Sequence, residues 1–141
     1  MKMRKFILFI SFLLSALSFN TNANSLIFKC KFNNNKQVSL FKEGNDVIYS
    51  FEKPDSNPDL KITRKRSQID TNFGNLSGRY ATNTIEIKNG AYSYRLTTSI
   101  DRIAKEQEPM TSLTVIKDKN YITSLQCLKG SEKGELISID D

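Results

Sequence analysis

The residues best equipped for chemistry form two groups of opposite sign. Lys61, Arg64, Lys65 and Arg66 fall within six positions and, with Lys53 upstream, make the densest basic stretch in a chain of 141 residues and formal charge +6. Clustered cations of this kind suit an acidic protein surface, an anionic glycan or a nucleic acid, although short charge runs are more often a solvated loop. Strand alternation would also turn Arg64 away from Lys61 and Lys65. The carboxylates Glu86, Asp101, Glu106 and Glu108 make the second group, since two facing carboxyl groups can cleave a glycosidic bond as acid and nucleophile or base. Their spacing does not bring any two together: Glu86 falls on the solvent side of a hairpin, and Glu106-Gln107-Glu108-Pro109 reads as a loop. Ser77 has no base among its sequence neighbours, so nucleophilic catalysis finds no support.

The residue types that are missing narrow the field further. The chain has no histidine and no tryptophan, and its two cysteines are Cys30 and Cys127. Histidine-dependent triads and histidine-built zinc sites are excluded, and two cysteines cannot close a tetrahedral zinc site. No metal or cofactor is expected. An even cysteine count without a C-x-x-C spacing reads as a structural disulfide in an exported protein. A Cys30–Cys127 bridge would close a loop of 97 positions, for which chain entropy suggests on the order of 4–5 kcal/mol as an upper value.

Export is read from the N-terminus. Lys2, Arg4 and Lys5 precede an unbroken apolar run from Phe6 to Phe19, followed by Asn20, Thr21, Asn22 and Ala23. A basic region, a short apolar core and a small residue at the boundary are the parts of a secretory signal peptide, assigned to residues 1–23. The apolar run is too short to stay as a membrane span, and Lys29 before Cys30 is the wrong residue for a lipoprotein cleavage site. Removal of the signal takes away three cations, so half of the formal charge is a targeting feature and the mature chain carries only +3. With so modest a charge and no basic motif interleaved with aromatics, nucleic acid is not an expected partner. Neither is stable membrane insertion after cleavage.

The positioning elements are β-strands, because the apolar period is two nearly throughout. Leu26, Phe28, Cys30 and Phe32 share one face of a first strand. Residues 37–42 make a second and Val47–Glu52 a third, with Val47, Tyr49 and Phe51 on one side. A loop with Pro54 and Pro58 precedes a fourth strand at Leu60, Ile62 and Arg64, which runs into the polar stretch Lys65–Asn75. Asn89-Gly90 predicts a two-residue hairpin loop, pairing Ile87 with Tyr92 and Ile85 with Tyr94, which puts both tyrosines in the core and Glu86 opposite Ser93 in solvent. Asp118-Lys119-Asn120 predicts a three-residue loop that pairs Lys117 with Tyr121, Val115 with Thr123 and Leu113 with Leu125. These elements predict an all-β fold, a small antiparallel barrel or sandwich of eight to nine strands, in one domain over residues 24–129. Residues 130–141 read as a polar, acidic, mobile tail.

Several short motifs resemble those of a family of small exported bacterial β-proteins. They are Phe28-Lys29-Cys30, Tyr49-Ser50-Phe51-Glu52-Lys53-Pro54, Gly78-Arg79-Tyr80, Asn89-Gly90-Ala91-Tyr92-Ser93-Tyr94, Asp101-Arg102 and Cys127. That resemblance implies export and a disulfide-tied β-fold with no reaction attached. Ser77-Gly78-Arg79-Tyr80 is also similar to the loop with which periplasmic C-type lysozyme inhibitors fill a lysozyme cleft, although the tryptophan-containing second half of that motif has no counterpart here. The second resemblance implies a partner contact made by Ser77, Arg79 and Tyr80.

The expectation that follows is a non-catalytic periplasmic or secreted binding protein. It would act as an inhibitor, an immunity protein or an envelope accessory factor, and Arg64, Lys65, Arg66, Ser77, Arg79 and Tyr80 would meet the acidic surface or cleft of a protein partner. The competing reading is a small carboxylate-dependent enzyme of envelope polysaccharides. A glycan-binding module comes third, because it would need exposed aromatics that the hairpin register denies.

Overall fold

The structure, a computed structural model, describes residues 24–141. The expected signal peptide lies outside the described residues. Ten strands form two antiparallel sheets. In the first, β1 (Ser25–Lys31), β2 (Gln37–Glu43), β3 (Asp46–Glu52) and β4 (Leu60–Lys65) run as a meander, and β10 (Lys133–Gly134) adds to the outer side of β1. The second is a meander of β5 (Asp70–Ser77), β6 (Tyr80–Asn89), β7 (Tyr92–Asp101), β8 (Met110–Lys117) and β9 (Asn120–Gln126). Short 3₁₀ turns at Arg66–Gln68 and Leu136–Asp140 complete the elements. No helix among the described residues is long and apolar enough to cross a membrane.

One core holds the sheets together. Phe28, Cys30, Val38, Leu40, Val47, Tyr49 and Ile62 from the first sheet meet Ile85, Ile87, Leu96 and Leu113 from the second, all of them buried. The Tyr49 and Tyr94 rings meet across the gap with centroids 5.3 Å apart. Alternation explains which residues lie inside, since each strand sends every second side chain to the core face. Cys30 and Cys127 are bonded, as their places on facing apolar sides anticipated. The closed-barrel alternative is corrected: the hydrogen-bonded ladders of the two sheets are separate, and each sheet ends in edge strands.

Four local expectations are also corrected. Leu26 leaves the apolar face of β1, because a bulge at Ile27 shifts the pairing with β2 and buries Ile27 in its place. The polar stretch Lys65–Asn75 contains most of β5, an edge strand whose outward residues are solvated and therefore lack an apolar alternation. The β6–β7 loop is Gly90-Ala91 and not Asn89-Gly90, so Asn89 pairs with Tyr92, Ile87 with Tyr94, Glu86 with Arg95 and Ile85 with Leu96. Gly90 alone there has a positive φ, of 62°, the pattern of a II′ loop with glycine first. Moving the loop by one residue moves each partner by two, which keeps the face but exposes Tyr92 while Tyr94 stays packed. At the β8–β9 loop, Asp118 and Lys119 both adopt positive φ and Lys117 pairs with Asn120; the extra residue is displaced into a bulge at Ile122, beyond which Val115–Thr123 and Leu113–Leu125 pair as expected.

The largest correction concerns residues 130–141, which are docked and not mobile. Lys133–Gly134 pairs with β1, Glu135 N–H donates to Ile27 O at 3.0 Å, and Leu136 and Ile139 are buried. Gly134 is required there: φ is +77°, and an added Cβ would fall 2.1 Å from the Ile27 carbonyl oxygen. The single domain therefore includes the segment expected to be a tail.

Candidate functional site

The two arginines of the basic stretch along and just after β4 are engaged by the fold. Arg64 shares the inner side of β4 with Ile62 and reaches the other sheet, donating to Lys88 O at 3.2 Å and Asn89 Oδ1 at 3.0 Å. Arg66 clamps the docked C-terminal segment through Asp140, Nε to Oδ1 at 2.6 Å and Nη2 to Oδ2 at 3.0 Å, and also donates to Ile69 O and Thr71 Oγ1. The paired guanidinium holds the Asp140 carboxyl below the usual carboxylate range. Lys53, Lys61 and Lys65 are exposed, Lys65 with Asp46 3.7 Å away.

Ser77, Arg79 and Tyr80 lie at the opposite end of β5. Ser77 pairs with Tyr80 around the two-residue loop Gly78-Arg79, and Gly78 has the positive φ, 58°, that such a loop needs at its first position. The eight residues of β5 put about 25 Å between this tip and Arg66 at a strand rise of about 3.3 Å per residue. The six expected partner-binding residues therefore fall into two groups, Arg64, Lys65 and Arg66 at one end of β5 and Ser77, Arg79 and Tyr80 at the other.

The tip is ordered by a second aspartate. Asp101, on β7 opposite Tyr80, takes both Nε (3.0 Å) and Nη2 of Arg79, and its Oδ1 also accepts Ile103 N–H at 3.2 Å. The hydrogen-bonded guanidinium pulls the Asp101 carboxyl below its ordinary range and raises Arg79. Arg79 also lies over the Tyr80 ring, 5.7 Å from its centroid, while Arg102 N–H donates to Arg79 O at 2.7 Å. Although bonded, the Arg79 side chain is 49% exposed. Tyr80, Ile103 and Met110, at this end of the sheet, are exposed as well.

Beside the tip, a groove of about 710 Å³ is lined by Asp101, Glu106, Glu108, Met110, Gln126 and Glu132, with Lys129 at its edge. Here the structure gathers three of the expected carboxylates and adds Glu132, whose segment the sequence reading left as tail. Glu108 pairs with Lys129 at 2.8 Å, and Glu132 accepts Thr111 N–H at 2.9 Å. Glu86 is elsewhere, paired with Arg95 at 2.7 Å on the outer face of the second sheet. Among the described residues no group of His, Cys, Asp and Glu is placed to hold a metal ion. The roles of Asp101 and Asp140 were not visible locally, because they stand 22 and 74 positions from the arginines they hold.

Comparison with models of protein families, with curated proteins and with solved structures finds no match to this chain.

Proposed function

We propose that this protein is a non-catalytic binding factor, exported to the periplasm or beyond, which acts as an inhibitor, immunity protein or envelope accessory factor by docking the β5–β6 tip on an acidic surface or cleft of a macromolecular partner. The observation that carries this reading is Arg79: held in one orientation by Asp101 and Tyr80, yet half exposed. A guanidinium has five N–H donors in a planar fork, and Asp101 takes two of them, leaving donors for a partner carboxylate. Pre-ordering matters because a side chain fixed before binding loses less rotamer freedom on binding. Arginine and tyrosine are also the residue types that carry a large share of affinity at protein interfaces. Ser77 flanks the tip. The exposed Lys53, Lys61 and Lys65 add long-range attraction, and Arg64 and Arg66 belong to the scaffold. The sandwich description fits this reading, with two facing sheets as the support for an exposed hairpin tip.

Affinity capture from envelope extract with wild type and Arg79→Ala/Tyr80→Ala tests the reading. Loss of a captured protein in the double variant, with retention in Lys65→Ser, supports it, whereas equal capture by both ends it.

A second reading, the small carboxylate-dependent enzyme, rests on the acidic groove. A general acid in such a site needs a raised pKa, while Asp101 is shifted down by Arg79. Hydrolysis of an envelope polysaccharide that is lost in Glu106→Gln would favour this reading over the first.

A further inference from the structure

Two open sheets leave four edge strands, and their edges differ. β10 is only two residues long. β4 carries Lys61, Arg64 and Lys65, and β5 is irregular around Gly74 and carries Asp70. Short length, charge and irregularity are the devices that keep an edge from pairing with another chain. The fourth edge, β9, is seven residues, Asn-Tyr-Ile-Thr-Ser-Leu-Gln, without charge, proline or glycine. All but Leu125 are exposed, Tyr121 at 66% and Ile122 at 52%. The bulge at Ile122 interrupts pairing with β8, but Thr123–Gln126 continues as regular strand beyond it.

We propose that β9 is a self-association edge, on which a second copy of this chain pairs antiparallel about a two-fold axis normal to the sheet. Charge selects the occupant. In an antiparallel pairing centred on Ser124, with Ile122 the extra residue of each strand, Thr123 meets Leu125 on the core side and Tyr121 meets Gln126 on the outer side, so Lys119 of one copy comes to the tail of β9 in the other. Lys119 is exposed at the head of β9 and, among the described residues, makes no ion pair. At the tail of β9, next to Gln126 and Cys127, is the acidic groove, lined by four carboxylates; Arg79 is bonded to Asp101 and Lys129 to Glu108, which leaves Glu106 and Glu132 without an ion pair among the described residues. A two-fold axis normal to the sheet keeps the outer faces of both copies on the same side. Tyr121 and Lys119 line the outer face at one end, and Met110 and Gln126 line it at the other. Each copy thus brings a lysine to the other's groove, and both contacts form at once, as a self-complementary interface requires. The uncharged middle adds main-chain hydrogen bonds without placing like charges opposite each other. This pairing makes no use of the Arg79 side chain, although the groove it enters shares Asp101 with the tip.

Sedimentation velocity on the purified protein from about 1 μM to about 1 mM, a span that covers weak and moderate affinities, tests the proposal. The expected result is a monomer–dimer equilibrium that weakens as salt is raised, since exposed charge pairs are screened. Lys119→Glu should raise the dissociation constant by about tenfold or more, a change in rim charge being felt across the interface. Adding Glu106→Lys to it should recover most of the loss. Ile122→Lys/Ser124→Lys should leave a monomer, with unchanged circular dichroism because both positions are exposed. A wild type that is monomeric throughout overturns the proposal. So does a dimer indifferent to Ile122→Lys/Ser124→Lys, whose interface would be elsewhere.

Discussion

The two ends of β5 carry the same pairing used in opposite ways. At one end Arg66 grips Asp140 and, through it, the C-terminal 3₁₀ turn, while Lys42 Nζ donates to Asp141 O at 2.6 Å. At the other end Arg79 grips Asp101 on its own sheet and holds nothing over itself. The Arg66 side chain is 27% exposed and that of Arg79 49%. The difference lies in what the aspartate is attached to, a folded-back segment in one case and a neighbouring strand in the other. An arginine–aspartate pair by itself therefore does not distinguish a structural clamp from an exposed candidate site. What covers it does.

The two ends also differ in how the sheets are fastened, and this leads to the largest expected effect. The disulfide pins the sheets at the Arg79 end, where Cys127 follows β9 and its N–H donates to Thr111 O at 2.9 Å. Cys127→Ser should cost about 2–5 kcal/mol, as loss of a native disulfide in a small domain does. Chemical denaturation of the oxidised wild type and the variant measures it. An equal midpoint would mean that the Arg79 end needs no covalent fastening.

The Arg66 end is fastened by packing. Ile139 is fully buried in the shared core, so Ile139→Ala should cost about 2–4 kcal/mol through lost burial and the cavity left behind. Gly134→Ala tests the same fastening from the backbone, since its Cβ would strike the Ile27 carbonyl. Both variants should speed amide exchange in β1 more than in β8. Uniform acceleration would show that the segment belongs to the global unfolding unit and is not a local fastener.

These two fastenings show where the sequence was legible and where it was not. The disulfide could be read because the chain has two cysteines, without a C-x-x-C spacing, and Cys30 stands on an alternating apolar face. Leu136 and Ile139 could not, since two apolar residues three apart in an acidic stretch have no strand period. β5 was hidden for a related reason: on an edge strand Asp70, Asn72 and Ser77 face water, and Gly74 interrupts the rest. Both hairpin loops were placed within one residue, because loop type depends on which position takes the positive φ, whereas the face of Ile85, Ile87, Leu113 and Leu125 is set by burial. The site itself was half legible. The Arg79–Tyr80 pair is local, but its Asp101 support and the separation from Arg64 and Arg66 arise only when the strands are laid side by side.

Smaller effects should separate the arginines. Arg66→Ala should lower the melting temperature less than Ile139→Ala does, since its pair with Asp140 is partly exposed and such pairs contribute modestly. Its acid limb carries a signature. Asp140 is more acidic in the fold than in the unfolded chain, so its contribution is present above the unfolded aspartate range, about pH 3.9, and is lost as pH falls through the lowered folded value. A carboxyl titration followed by carbon NMR should find the Asp140 midpoint below the ordinary value in wild type and restored in Arg66→Ala. Unchanged Asp140 acidity would remove the clamp from the account.

Arg79→Ala should have the smallest effect on folding, leaving the melting temperature within error, and the largest on capture of the partner. Asp101 should return toward ordinary acidity in that variant, by the same sign argument as for Asp140. If Arg79→Ala instead lowered stability as much as Arg66→Ala, the contrast between the two ends would fail.

The pairing of β1 with Lys133–Gly134 has a consequence for biogenesis. A chain made from its N-terminus presents β1, β2, β3 and β4 long before Cys127, Lys133 and Ile139 exist, and the disulfide partners are 97 positions apart. Until those later residues arrive, β1 is a bare edge as β4 is, and the apolar face of the first sheet is uncovered, so completion waits on contacts of high sequence separation, the slow kind. A product cut short before Leu136 would leave the apolar surface that Leu136 and Ile139 cover open to water and to proteases.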